Sequence, residues 1–392
     1  MIKEKKKKES IKTTMKLLFA PDSFKGSLSS NQAISLLTEA ARRHFPGCEI
    51  IGVPMADGGE GTAEALLSTL GGTFINCTVT GPLGEPVTAK YGITQNHMAI
   101  IEMAEASGLP LVPPKKRNPL LTGTYGTGQL ICHAFDQGIT DLLLTIGGSA
   151  TNDGGIGAAT ALGFRFLDKN DQELAPIGQS LSRIHRIDTS LVHPKLREAS
   201  ITIMCDVENP LTGPNGATYI YGPQKGGNPQ ILDQLEHGMI HYAAIIQEMT
   251  GIDYTSMEGA GAAGGFSIPF LAFANASLSS GIDTVLKAVH FDELLSGVDF
   301  VITGEGRVDR QSVFGKVMSG VGKACKKKNI PIAAIVGSMG DGAADIYSCG
   351  IDSIMPIVSA PMELSYAMEN SETLFADAAD RIFRFLKMGI KL

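Results

Sequence analysis

No Cys-x-x-Cys pair and no cysteine at metal-ligand spacing from a histidine occurs among the six cysteines of the 392-residue sequence. Zinc ribbons and thioredoxin-type redox motifs are thereby excluded, and Cys48, Cys77, Cys132, Cys205, Cys325 and Cys349 read as buried thiols of a reducing cytosol. There is no G-x-x-x-x-G-K-[ST], since Gly315-Lys316 is followed by Val317 and Gly322-Lys323 by Ala324, so a P-loop enzyme is not expected. H-E-x-x-H and the protein-kinase H-R-D and D-F-G sets are missing too. The segment from Gly259 to Gly264 matches G-x-G-x-x-G, but Tyr254 to Glu258 ahead of it makes no buried strand, which a dinucleotide fingerprint needs. Positive charge is in deficit: the formal net charge is −7, which argues against nucleic acid as a partner. The uncharged stretch from Gly259 to Ile282 holds too much Gly, Ala, Ser and Asn, with Pro269 inside, to span a membrane. Residues 1–14, MIKEKKKKESIKTT, have no apolar core, so they are no secretory signal and are expected to form a disordered basic tail.

What is present is an ordinary soluble composition, 43% hydrophobic and 19% charged, long enough for two domains with proper cores. The 46 glycines are more than usual and gather in loops. Two strand-loop-helix units open the chain: Lys16 to Ala20 leads into a helix over Ala33 to Ala41, and Glu49 to Val53 into a helix over Ala63 to Leu70. Such units imply a parallel sheet with right-handed crossovers. From Thr73 the pattern changes to short alternating strands joined by Gly-Pro turns, which suggests antiparallel pairing. Beyond Gly281 the first pattern returns, with strands at Phe300 to Thr303 and Ile332 to Val336. The expected fold is therefore α/β. A discontinuous Rossmann-like parallel-sheet domain over 15–78 and 285–392 carries an inserted mixed-sheet domain over 79–284, with the active-site cleft between them.

The stretch from Asp141 to Gly157, DLLLTIGGSATNDGGIG, reads as a buried strand, a loop of small residues, and a helix starting near Ile156 with Asn152 or Asp153 as its cap. Glycines let backbone N–H groups approach an anion closely, and the first N–H groups of a helix lack internal partners, so an anion cradle is expected here. Other presumed strand ends repeat one kind of loop, acidic residues beside glycines with a cation nearby. Asp22 with Lys25, Asp57 with Glu60, Asp206 with Asn209, and Glu305 with Arg307, Asp309 and Lys316 are the instances. Phosphoryl transfer calls for this mixture, because carboxylates hold Mg²⁺ while cations and N–H groups offset phosphate charge.

The same loops carry a resemblance. LFAPDSFKGSLS (Leu18 to Ser29), ADGGEGT (Ala56 to Thr62), GGSATNDGG (Gly147 to Gly155), GPQKG (Gly222 to Gly226), GAGAAGG (Gly259 to Gly265) and ITGEGRVDRQSVFGK (Ile302 to Lys316) together resemble the bacterial type-1 glycerate kinase family. The likeness runs from Met15 to the end, with local departures at Gly227-Asn228 and Phe266-Ser267. It implies a cytoplasmic phosphotransferase that acts on D-glycerate with ATP and Mg²⁺ at the 2-hydroxyl, the 3-hydroxyl being the alternative. Homo-oligomers are left open. It further implies a site containing Asp22, Ser23, Lys25, Ser27, Asp57, Asn152, Asp153, Asp206, Asn209, Lys225, Glu305, Arg307, Asp309 and Lys316. The roles expected of them are these. Arg307 or Lys25 meets the glycerate carboxylate. Lys316 and the Gly147-Gly148-Ser149 loop hold phosphates. Asp206 or Glu305 holds magnesium, and Asp153 accepts the hydroxyl proton, with Asp57 or Asp206 next in line. Two other classes compete: a hydroxyacid dehydrogenase binding its dinucleotide at the Gly259 loop, and a non-catalytic organic-acid sensor.

Overall fold

The computed structural model describes residues 14–313 and 315–390, so the expected basic tail lies, save for its last residue, outside the described residues. Contacts divide the chain into two units, one made of the described residues through Met55 and from His290 onward, the other of Ala56–Val289.

The first unit is built on a five-stranded, all-parallel sheet. Its strands stand in the order Ser353–Pro356, Ile332–Met339, Phe300–Val308, Lys16–Pro21, Glu49–Gly52. Successive residues Leu17, Leu18, Phe19 and Ala20 are all fully buried, as expected of a parallel strand covered on both faces. Helix Ser30–His44 starts at a capping box, in which Ser29 and Gln32 satisfy each other's backbone N–H groups. It packs with helix Ser371–Ile390 in a core containing Leu37, Ala41, Phe375 and Phe383. Phe383 meets Phe19 edge-on at 6.1 Å. Chain order runs outward in both directions from the pair Lys16–Pro21 and Phe300–Val308, so the topological switch point falls between these strands, where ligand crevices of open α/β sheets form.

The second unit holds a six-stranded mixed sheet in the order Ser277–Ser279, Ser200–Met204, Asp141–Thr145, Met98–Glu102, Pro86–Thr94, Gly72–Thr80. Its first four strands are mutually parallel; the last two form the expected antiparallel hairpin. That hairpin moves a boundary. Gly72–Thr80 has its partner in Pro86–Thr94, so residues 56–78, expected in the first domain, belong by contact with the second. A separate core gathers under this sheet, including Leu130, Phe135, Leu142, Leu144, Phe166, Tyr242 and Phe266. The 22-residue helix Pro229–Thr250 packs into it, capped by Asn228, whose side chain accepts from the Ile231 N–H at 2.9 Å, and stopped by Gly251 at φ +76°. Among the described residues no helix is long and apolar enough to cross a membrane.

Candidate active site

Strands Asp141–Thr145 and Ser200–Met204 are parallel neighbours, with Thr145 opposite Met204. Beyond their carboxyl ends lies a cavity of about 420 Å³ within the second unit. Its walls come from Asp57 to Gly59, Ile146 to Ser149, Met204 to Val207, Tyr221 with Gln224 and Lys225, and Leu109 with Ala262 and Ala263. The Gly147 loop is braced rather than slack. Gly148 O accepts from Leu109 N at 2.8 Å and Ala150 N donates to Ser107 O at 2.9 Å, while Gly148 turns through φ +73°. Among the described residues, the N–H groups of Gly147, Gly148 and Ser149 meet no protein acceptor. Three successive backbone donors at a cavity wall make an anion nest.

The nest lies on the loop that the sequence assigns to phosphate, but the helix half of the expected cradle does not take part. Helix Ile156–Ala161 is short, and its first donors are already used: Gly155 N donates to Asp153 Oδ1 at 3.1 Å and Gly157 N to Oδ2 at 3.2 Å. Oδ2 also accepts from Thr124 N at 2.8 Å and Thr124 Oγ1 at 2.7 Å, and Ala158 N donates to that hydroxyl. Asp153 is 0% exposed and does not line the cavity. Burial pushes its carboxyl up against the opposing pull of the donors from Thr124, Gly155 and Gly157. In this geometry the Asp153 carboxylate closes a helix end and ties it to Thr124. Asn152 is also fully buried, donating to Thr218 Oγ1, and stands behind the wall.

Lys225 does line the cavity although only 2% of it is exposed. Its ammonium donates to Ser149 Oγ at 2.9 Å and to Thr151 O at 2.6 Å, which joins it to the nest. Desolvation pulls it down to about 7, with Asp153 opposing. Across the same lining stand Asp57 and Asp206. Asp206 is open to solvent, yet the surrounding walls desolvate its carboxyl and, with the nearby Asp57 charge, raise it to about 6 against the pull of the Gly281 N–H at 2.7 Å. Asn209 is not a lining residue; it accepts from Tyr221 Oη at 2.6 Å and donates to Asn215 O, so it fixes a tyrosine that is.

A model of the glycerate kinase family matches residues 17–387. The chain belongs to this family. It is 45% identical over 379 residues to the glycerate kinase of Bacillus subtilis, covering 96% of this chain and 98% of that protein. It is 42% identical over 378 residues to the glycerate 2-kinase of Escherichia coli, covering 96% and 99%. A crystal structure from Salmonella typhimurium superposes with a TM-score of 0.89 at 39% identity, over 97% of this chain and 100% of that one.

The remaining glycerate kinase motif residues lie in the first unit, at the carboxyl ends of its central strands. Asp22 N donates to Gly304 O at 2.8 Å, Ser23 N to Asp22 Oδ1 at 2.6 Å, and Ser27 Oγ to Phe24 O at 2.9 Å, which gives the Asp22 to Leu28 loop a fixed shape. A Cβ on Gly306 would lie 3.5 Å from Phe24 Cα, so this loop and the Phe300–Val308 strand approach closely. Glu305 and Arg307 are on that strand rather than in a loop after it, because the pairing with Ile332–Met339 runs on to Val308. Glu305 is buried on this strand. Arg307 is exposed and pairs with Asp309 at 3.4 Å, Lys25 is exposed, and half-buried Lys316 precedes helix Val317–Lys328. Leu109, Met204, Tyr221 and Ala263 are lining residues that spacing did not reveal. Apolar side chains carry no chemical signature in sequence, although Tyr221 directly precedes the GPQKG motif.

Proposed function

We propose that the protein transfers the terminal phosphoryl group of ATP to the 2-hydroxyl of D-glycerate, giving 2-phosphoglycerate and ADP. The observation that carries this reading is one cavity, in a glycerate kinase family member, lined by the Gly147 to Ser149 donors, Lys225, Asp57 and Asp206. The name of the Escherichia coli relative favours the 2-hydroxyl.

Among the described residues no three His, Cys, Asp or Glu side chains form a metal cluster. A cation at this cavity would rest on one or two carboxylates, the mode in which Mg²⁺ is held beside phosphates, and the desolvation and nearby Asp57 charge that lift Asp206 fit such a guest. Asp206, with Asp57 beside it, would hold Mg²⁺, which when bound offsets phosphate charge. The proton acceptor passes from Asp153 to Asp57; a loose transition state asks little of it early. The N–H nest and Lys225 hold charge that builds on the transferring group, and Arg307 or Lys25 meets the glycerate carboxylate. The dehydrogenase reading loses its support: Gly259 to Gly265 follows turns, not a strand.

Phosphorus NMR of a mixture of protein, ATP, Mg²⁺ and D-glycerate is the test. The 2-phosphoglycerate resonance is expected. A 3-phosphoglycerate resonance would transfer the reading to a 3-kinase, and absence of any phosphoglycerate would overturn it.

A further inference from the structure

Glu102 ends strand Met98–Glu102 opposite Thr145, and Thr145 in turn stands opposite Met204, so Glu102 lies on the carboxyl edge of the sheet that borders the cavity. It is a buried carboxylate, 7% exposed, that the proposed reaction does not use. Its partners are backbone donors at the start of helix Thr62–Leu70. Oε1 accepts from Ala63 N at 2.8 Å and Oε2 from Gly61 N at 3.4 Å. This helix needs a cap from elsewhere, because Gly61 at its N-cap position has no side chain to offer. The space around Gly61 is open, so its backbone turn at φ +90°, rather than crowding, calls for the glycine. A carboxylate at this point also meets the positive end of the helix.

We infer that Glu102 is a positioning residue for phosphoryl transfer: by capping helix Thr62–Leu70 from the adjacent strand, it fixes the loop that brings Asp57 to the cavity. The inference rests on the reading that gives Asp57 the proton and a share of the magnesium. Ahead of the helix, Gly58, Gly59 and Gly61 leave this loop with few side chains by which to anchor itself. Its first end is wedged by backbone. A Cβ on Gly281 would lie 2.1 Å from Asp57 O, and one on Gly58, itself at φ +88°, 3.2 Å from Met204 Cβ. Its second end is tied by Thr62, whose Oγ1 donates to Gly59 O at 2.7 Å, and by Glu102 through Gly61 and Ala63. A Cβ on Gly59 would come within 3.2 Å of Asp57 Oδ1, so the aspartate carboxylate rests against the same turn that Glu102 holds. Releasing that end lets the glycines drift, and a displacement of about 1 Å at a reacting group is enough to cost about 10²-fold in rate.

Full-length variants test this, with initial rates of phosphoglycerate formation and with amide exchange of residues 56–62 followed by mass spectrometry in the absence of substrate. Glu102→Ala is expected to lower kcat at least tenfold, to leave the glycerate KM within threefold and to speed exchange in that segment. Glu102→Gln keeps the length and an oxygen for the Ala63 N–H, so its kcat should stay within threefold of wild type. Glu102→Asp keeps the charge but falls one methylene short, and its kcat should drop at least fivefold. Leu67→Ala is the control, since this buried leucine of the same helix faces Gly72 and Gly92 rather than the loop. It should lower the melting temperature while leaving kcat within twofold. A Glu102→Ala protein that loses no more kcat than Leu67→Ala would make Glu102 a brace of the helix alone and overturn the inference. An aspartate variant more active than the glutamine variant would assign the effect to charge and overturn it too. If the alanine variant does not fold, wild-type kcat in Glu102→Asp suffices to overturn it. Should the wild type form no phosphoglycerate, the proposed reaction fails, whereas the exchange measurement still decides the anchoring: faster exchange in Glu102→Asp supports it and unchanged exchange overturns it.

Discussion

Four hydrogen bonds reach the Asp153 carboxylate, all from inside the protein, three of them to one oxygen. An amide at this place would turn one of two acceptors into a donor facing N–H groups. Asp153→Asn is therefore expected to destabilise the protein by about 1–3 kcal/mol, the range for stranding buried polar groups, and differential scanning calorimetry would show it. An unchanged melting temperature would mean that the carboxylate is not the brace described. From sequence the residue reads equally as a cap or as a base, since both want an acid before a helix; the four donors that reach its carboxylate from inside the protein are visible only in the structure. Lys225 shows the opposite limit. It stands 76 residues from Ser149, so no spacing could pair them, although the GPQKG motif marked it as a site residue.

At the level of elements, the Gly259 to Gly265 loop has a use other than dinucleotide binding. Gly264 sits at φ +72°, and a Cβ there would lie 2.4 Å from Thr151 O, the carbonyl that accepts from Lys225; Gly154 N in turn donates to Gly264 O at 2.9 Å. The glycines let one backbone press against another. Gly264→Ala should then cost several degrees of melting temperature and also weaken Mg-ADP binding severalfold, because Thr151 must move; calorimetric titration would reveal a variant in which only one of the two changes. The short strands Arg165–Leu167, Arg186–Asp188, Ser277–Ser279 and Ser353–Pro356 carry no long apolar run and were not read, but strand starts were legible where apolar runs follow polar residues, as at Lys16, Glu49, Phe300 and Ile332. Strand ends were less so: Phe300–Val308 outlasts its apolar run, since backbone pairing with Ile332–Met339 continues through Gly304 to Arg307 regardless of side chains. The Gly227-Asn228 departure from the family pattern turns out to cap a helix, a role visible only once the helix is seen.

For the whole molecule, the return of the parallel pattern after Gly281 made the discontinuous unit readable. Its boundaries were not, because a hairpin strand and a crossover strand share the same composition until their partners are known. The first unit must join Ala20 to Thr303 across 283 residues, whereas the second is contiguous in sequence. Closing that loop is entropically unfavourable until the intervening chain is compact. Pulse-labelling hydrogen exchange during refolding should therefore find protection in Asp141–Thr145 and Ser200–Met204 before Lys16–Pro21. Simultaneous protection of all three would contradict this order. The same separation bears on synthesis. At about 5–20 residues per second, the ribosome needs roughly a quarter of a minute to a minute to proceed from the first strand to its partner. During that interval Leu17, Leu18, Phe19 and Ala20 have only the short Glu49–Gly52 strand as a mate, and the edge that later takes Phe300–Val308 stays open and sticky. The cell's need to shield that short segment grows with every delay in translating the insertion behind it.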